Sequence, residues 1–177
     1  MAVEHLKSTA ITNLDATPVV AQTIGEGAPG FLRHAGGYAT VSASASVGST
    51  YQLARIPSNA KVKSVIFESE AQGAGKVQLG FYYSSSTVDG TAVANHGTVV
   101  SGSVAFISGD IDCTSAVTRA GYTGAGSYTM DKRTQPIWQA LGLATDPGGF
   151  LDLVATVHTT AITTGTGKMG GELEYVV

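Results

Sequence analysis

The chain has 177 residues, a formal net charge of −3 and 13% charged residues, about half the usual share of roughly a quarter. Gly, Ala, Thr and Ser fill 83 of the 177 positions, yet large aliphatic residues recur often enough to exclude intrinsic disorder. No basic field is present to hold a phosphate backbone, which argues against nucleic acid as a partner, and no apolar run approaches the roughly 18 residues of a membrane-spanning helix.

This length suits one domain with a core of its own. The single cysteine, Cys113, excludes an internal disulfide and a cysteine-based zinc site. It reads as a buried small apolar residue in a protein made in a reducing cytosol. Residues 1–10 carry Glu4, His5 and Lys7 and lack the hydrophobic stretch of a secretory signal.

Residues 8–37 have no usable period. Pro18, Pro29 and five glycines from Gly25 to Gly37 break the backbone. That density forbids a helix and confines any strand to a sheet edge. Between the breakers lie Ile11, Leu14, Val19, Val20, Ile24, Phe31 and Leu32. The segment reads as an extended arm, residues 1–37, too apolar to be a solvated tail. It should lie on a surface, either its own domain or a neighbouring subunit.

From Tyr38 the pattern switches to period two, the mark of a half-buried strand. The first predicted strand covers residues 38–45, and Gly48-Ser49 makes a turn. A second covers 51–56 and ends at Pro57-Ser58-Asn59, which is turn chemistry. A third, 60–68, alternates Lys and Val before becoming continuously apolar. The fourth, 76–83, puts Val77, Leu79 and Phe81 on one face. Residues 84–90 read as a loop, and Val99-Val100 and 104–107 as weaker strands. The stretch 114–129, with Gly121, Gly124 and Gly126, reads as a long surface loop. Residues 150–158 form a strong buried strand. The last strand, 169–177, alternates Leu173, Tyr175 and Val177 with Glu172, Glu174 and Val176.

One segment reads as helix. Thr134-Gln135-Pro136 supplies a capping hydroxyl and a proline suited to the first turn. Ile137, Ala140 and Leu141 make an i, i+3, i+4 stripe with Trp138 beside it, and Asp146-Pro147-Gly148-Gly149 ends it. Two to three turns are too few for independent stability, so the helix should dock through Trp138 or Ile137. The predicted core comprises Val41, Leu53, Val62, Val65, Phe67, Leu79, Phe81, Trp138, Leu141, Leu153, Ala155 and Val157. About eight short strands and one helix predict an all-β antiparallel sandwich over residues 38–177, with a jelly roll fitting better than a seven-strand immunoglobulin sandwich.

The chemical motifs are weak. Gly25/Gly27/Gly30 and Gly165/Gly167/Gly170 match G-x-G-x-x-G, but neither sits between a strand and a helix, so both read as turns. His5, His34, His96 and His158 are available to serine chemistry, but no G-x-S-x-G elbow exists. Asp110 and Asp112 could share a cation, yet Ser115 stands where a calcium loop needs glycine. They read as edge charges that blunt strand pairing, as do Glu68/Glu70 and Glu172/Glu174. Tyr82, Tyr83, Tyr122 and Tyr128 are candidates for a lectin-like surface. No catalytic, cofactor-binding or metal residues are assigned.

Several segments resemble a family of tailed-bacteriophage virion proteins, the capsid decoration (cement) and structural proteins. They are Ile11-Thr12-Asn13-Leu14-Asp15-Ala16-Thr17-Pro18, then Gly48-Ser49-Thr50-Tyr51 leading to Ile56-Pro57-Ser58-Asn59-Ala60-Lys61-Val62, and Leu79-Gly80-Phe81-Tyr82 with Asp89-Gly90. Gln135-Pro136-Ile137-Trp138-Gln139-Ala140-Leu141-Gly142-Leu143 with Asp146-Pro147, and the closing 171–177, complete the set. These are packing and turn signatures. The resemblance implies a jelly roll bound to the outer surface of a phage head and no catalytic residues. It also implies a virion location after synthesis in the host cytoplasm, with the major capsid protein and further copies of the chain, as homodimer or homotrimer, for partners. On this reading Ile11, Leu14, Pro18, Val19, Val20, Ile24, Phe31 and Leu32 form the capsid or subunit interface. The rival class is a carbohydrate- or receptor-binding jelly-roll module of a fibre or tail. Neither reading requires nucleic acid, a membrane or a cofactor.

Overall fold

The computed structural model describes residues 31–41, 44–84, 87–88, 91–92, 100, 104–122, 126–163 and 167–177. The strands among them are β1 (Arg33–Thr40), β2 (Thr50–Pro57), β3 (Lys61–Ser69), β4 (Lys76–Tyr83), β5 (Thr87–Val88), β6 (Thr91–Ala92), β7 (Ser108–Asp112), β8 (Val117–Gly121), β9 (Phe150–His158) and β10 (Lys168–Val176).

Two four-stranded antiparallel sheets face each other, in the orders β1-β10-β3-β8 and β2-β9-β4-β7. Each long strand is followed by one in the opposite sheet. The exception is the step from β4 to its neighbour β7, between which the small β5–β6 hairpin lies. This is the strand order of a jelly roll. The predicted all-β sandwich is the observed fold.

Side-chain periodicity explains the layers. In β9, Leu151, Leu153, Ala155 and Val157 point into the core between the sheets, and Asp152, Val154 and Thr156 on the other face are buried too. Burial on both faces is what a continuous apolar run encodes. In β10, Met169, Gly171, Leu173 and Tyr175 face inward. A Cβ on Gly171 would stand 2.9 Å from Leu53 Cδ1 and 3.2 Å from Leu153 Cδ2. The sheets come close together over a residue with no side chain, which no sequence period announces.

Several expectations are corrected. The strand predicted at 38–45 lies at Arg33–Thr40, and so takes in residues 33–37 of the stretch read as arm. It is an edge strand, as the breaker density required, and Gly37 fits because a Cβ there would meet Leu53 O at 2.9 Å. The loop predicted over 114–129 contains β8, a five-residue edge strand whose β-branched Val117 pairs with Ser69. Residues 104–107 form a turn rather than a strand. The strand begins one residue later, after Ile107 donates its N–H to Leu79 O.

The predicted helix is shorter than expected. A 3-10 turn, Met130–Thr134, precedes a single α-turn, α1 (Ile137–Ala140). Pro136 is the residue at the N-cap, and the Thr134 hydroxyl donates back to Asp131 O instead of capping α1. Residues 136–142 dock by backbone as well as side chain, since the Ile137 N–H donates to Ala60 O and the Trp138 N–H to Ser58 O. Ile137, Ala140 and Leu141 enter the core, while Trp138 is only half-buried. The other eleven residues predicted for the core are all buried.

Tyr128, expected on a loop surface, is fully buried. Its ring packs 5.6 Å from that of Phe106, which stands edge-on to Phe81 at 6.5 Å. Its hydroxyl donates to Val62 O at 2.7 Å, so the long connection is pinned to β3. Burial pushes the Tyr128 phenol pKa well up.

Candidate functional site

Most of the arm residues singled out in the sequence, Ile11, Leu14, Pro18, Val19, Val20 and Ile24, lie outside the described residues. The remaining two, Phe31 and Leu32, are 88% and 61% exposed where the chain enters β1.

The chemical candidates are occupied with structural work. On edge strand β7, Asp110 Oδ1 stands 2.7 Å from His158 Nδ1 and accepts a bond from Gln78 Nε2 at 2.9 Å. The His158 bond holds the Asp110 carboxyl below its ordinary range. Asp112 Oδ1 accepts the Thr114 N–H, and its carboxyl too is held low, chiefly by a hydrogen bond from the Thr114 side chain. Among the described residues, no three His, Cys, Asp or Glu side chains gather in a way that could hold a metal ion, and no hydroxyl or thiol bonds to His158 Nε2 as a triad would need. Cys113 is buried, and burial pushes its thiol to about 11, far from the thiolate a nucleophile requires.

The lectin-like tyrosines are corrected as well. Tyr128 is in the core, and Tyr82 is buried with its hydroxyl 2.9 Å from Thr156 Oγ1. Tyr83 and Tyr122 are partly buried against the core, Tyr122 edge-on to Phe67 at 6.2 Å. The exposed tyrosine is Tyr38, at 68%.

Tyr38 stands on the outer face of the first sheet. Register arranges that face in rows. His34, Glu174 and Ser64 form one row, and Gly36, Glu172, Ile66 and Gly121 the next. Tyr38, Gly170 and Glu68 follow, then Thr40 and Lys168, whose carbonyl accepts the Glu70 N–H. The glutamates are therefore not edge charges: β3 and β10 are interior strands, and Glu68, Glu172 and Glu174 rise from the flat of the sheet.

Two features shape this face. The first is an ionic strap. Arg119, on edge strand β8, reaches across β3 to grip Glu172 on β10, with Nη1 donating to Oε1 at 3.0 Å and Nη2 to Oε2 at 2.8 Å. Two-pronged pairing of this kind fixes geometry as well as charge. Arg119 adopts φ +39°, a left-handed conformation costly for a side-chain-bearing residue. His34 Nε2 lies 3.7 Å from the same carboxylate. Arg119, above all through its hydrogen bonds, holds the Glu172 carboxyl below its ordinary range.

The second is a slot of about 400 Å³. Its floor is Gly170, where a Cβ would crowd Glu68 Cγ at 3.1 Å. Tyr38 and Lys168 stand on one side, Glu68 and Glu70 on another, and Val117 and Thr118 of β8 close it. The Lys168 ammonium lies 4.8 Å from the Tyr38 ring centroid, a cation–π distance. The Lys168 N–H donates to Glu70 Oε2 at 2.9 Å. Among the described residues the Glu68 carboxylate makes no hydrogen bond. The sequence reading takes Tyr38 only as the start of a strand, because its pairing with Gly170 joins the first strand to the last and no local pattern marks it.

No family model matches the chain, and no curated protein matches it. A solved chain titled "Cyanophage Pam1 capsid asymmetric unit" is similar over 92% of this chain and 96% of that one, at 14% identity and a TM-score of 0.43.

Proposed function

We propose that the chain is a non-enzymatic structural protein of a tailed-phage virion, a decoration (cement) protein that binds the outer surface of the head and stabilises the shell of the major capsid protein. The observation that carries this reading is the eight-stranded jelly-roll order β1-β10-β3-β8 over β2-β9-β4-β7, an architecture used in viral capsid proteins and lectins, joined to the segments whose sequences resemble decoration proteins. A low charge share and a breaker-rich apolar arm suit a subunit completed by assembly. The exposed Phe31 and Leu32 extend that apolar character to the start of β1. Ordering the arm costs about 1–2 kcal/mol per residue in backbone entropy, so it should order only where a surface covers it well.

The test is co-sedimentation with purified undecorated heads, comparing the full chain with a form lacking residues 1–30, which keeps all of β1. The full chain should pellet with heads in hundreds of copies and raise their melting temperature. The shortened form should keep its fold and bind much more weakly. A full chain that stays in the supernatant, or virions holding about a dozen copies or fewer, would remove the decoration reading.

A further inference from the structure

We propose that the slot over Gly170 is a saccharide-binding site, in which the Tyr38 ring is the platform and Glu68 and Glu70 accept sugar hydroxyls. The inference goes beyond the shell-binding role and stands on separate residues.

Gly170 lies between Tyr38 and Glu68, whose Cα atoms are two strand spacings apart, about 9.6 Å, and the Glu68 side chain leans over it. A ring laid against the Tyr38 side chain therefore comes within reach of the Glu68 carboxylate. The slot's 400 Å³ falls in the range of small-molecule sites, about 300–1,000 Å³. A tyrosine 68% exposed on the outer face of an edge strand leaves apolar ring surface in water, which a ligand with an apolar face would cover.

The charges around the slot select the ligand class. Anions are repelled by Glu68 and Glu70. A partner's basic side chain would meet Lys168, whose ammonium already lies over the Tyr38 ring at 4.8 Å. A neutral hydroxyl-rich ring is repelled by neither charge, and the pyranose takes the place of the Lys168 ammonium over the Tyr38 ring. Carboxylates accept hydroxyl protons in charge-assisted bonds, the Lys168 ammonium and the Thr118 hydroxyl donate to sugar oxygens, and the C–H face of a pyranose rests on the phenol ring. The Arg119–Glu172 strap, one row away, holds β8 over β3 and so keeps the Thr118 side of the slot in place.

The experiment is an NMR titration of the isotopically labelled full chain with the methyl glycosides of glucose, galactose, mannose and N-acetylglucosamine, and with acetyl-arginine amide as the cationic probe. At least one glycoside should give saturable shifts centred on the amides of Tyr38, Glu68, Lys168 and Gly170. Tyr38→Ala and Glu68→Gln should each weaken that binding about tenfold or more. Both side chains are exposed, so both variants should keep the native spectrum; if Tyr38→Ala does not, Glu68→Gln decides. No saturable shift with any glycoside, shifts centred elsewhere, or affinity unchanged in the variants would overturn the proposal. So would stronger shifts from acetyl-arginine amide, which would make the slot a socket for basic side chains.

Discussion

Arg55 on β2 and Asp152 on β9 are direct cross-strand partners joined by a two-pronged ion pair, Nε to Oδ1 at 2.6 Å and Nη2 to Oδ2 at 3.0 Å. The Asp152 side chain has no solvent exposure, whereas that of Arg55 is 50% exposed. Gln52 Nε2 adds a third bond to Oδ2 at 2.7 Å. The hydrogen bond to Asp152 raises the Arg55 pKa further. A buried carboxylate in the long apolar strand β9 is thus paired from an edge strand, which ties β2 to the sheet centre.

Removing the cation should leave a buried charge without its counter-ion. Arg55→Ala is expected to destabilise the fold by about 3 kcal/mol, and Gln52→Ala by about 1 kcal/mol. Denaturant unfolding measures both. A loss below about 1 kcal/mol for Arg55→Ala would mean that water solvates Asp152 in place of the guanidinium.

The Tyr128 hydroxyl offers a second test. Tyr128→Phe keeps the ring contacts with Phe106 but strands the buried Val62 carbonyl, a change expected to cost about 1–2 kcal/mol. Tyr38→Phe, which alters only an exposed phenol, should shift stability by less than about 0.5 kcal/mol. Equal effects would show that the Tyr128 bond contributes nothing beyond its ring.

The central strands could be read from the sequence because their burial repeats with a simple period. Val77, Leu79 and Phe81 in β4, and the unbroken run of β9, predicted both position and orientation. What was missed depends on register between distant strands. β8 reads as loop because Arg119 and Gly121 obscure its period, and its pairing with β3 is set by tertiary packing. Tyr128 lies in a glycine-rich connection with no period at all, so its burial follows from the Val62 carbonyl it reaches. Glu68 and Glu172 read as edge charges because i, i+2 carboxylates look alike on an edge and on the outer face of an interior strand. The slot itself joins Tyr38, Glu68 and Gly170 across three strands, and no local pattern places them in one row.

Acid should act through the depressed carboxylates. Arg119 lowers Glu172, the His158 bond lowers Asp110, and the Thr114 side chain lowers Asp112. A carboxyl whose folded pKa is lowered adds stability above its unfolded value, here 4.5 for Glu and 3.8 for Asp. That stability is lost as pH falls through the folded value. The melting temperature should therefore be insensitive to these groups above about pH 5 and fall below about pH 4.5. Glu172→Gln should flatten the acid limb. An acid limb of unchanged slope in that variant would show that the Arg119 strap does not persist in solution.

The close approach at Gly171 predicts a sign that simple hydrophobicity would get wrong. Alanine favours strands over glycine by conformational entropy, so Gly171→Ala on an open surface would stabilise. Here the added Cβ would lie 2.9 Å from Leu53 Cδ1, 3.0 Å from Leu53 Cβ and 3.2 Å from Leu153 Cδ2. One of these atoms is a Cβ fixed to the β2 backbone and cannot rotate away. The sheets must part or Leu53 must leave its rotamer, an overpacking cost of about 1–3 kcal/mol. Leu153→Ala alone should cost about 2–5 kcal/mol through the cavity it leaves. In the double variant the new methyl lies beside the vacated space, so the combined loss should be smaller than the sum of the two, a coupling measurable by a double-mutant cycle. Strict additivity, or a Gly171→Ala protein more stable than the parent, would place the two sheets farther apart than the Leu53–Gly171–Leu153 contact requires.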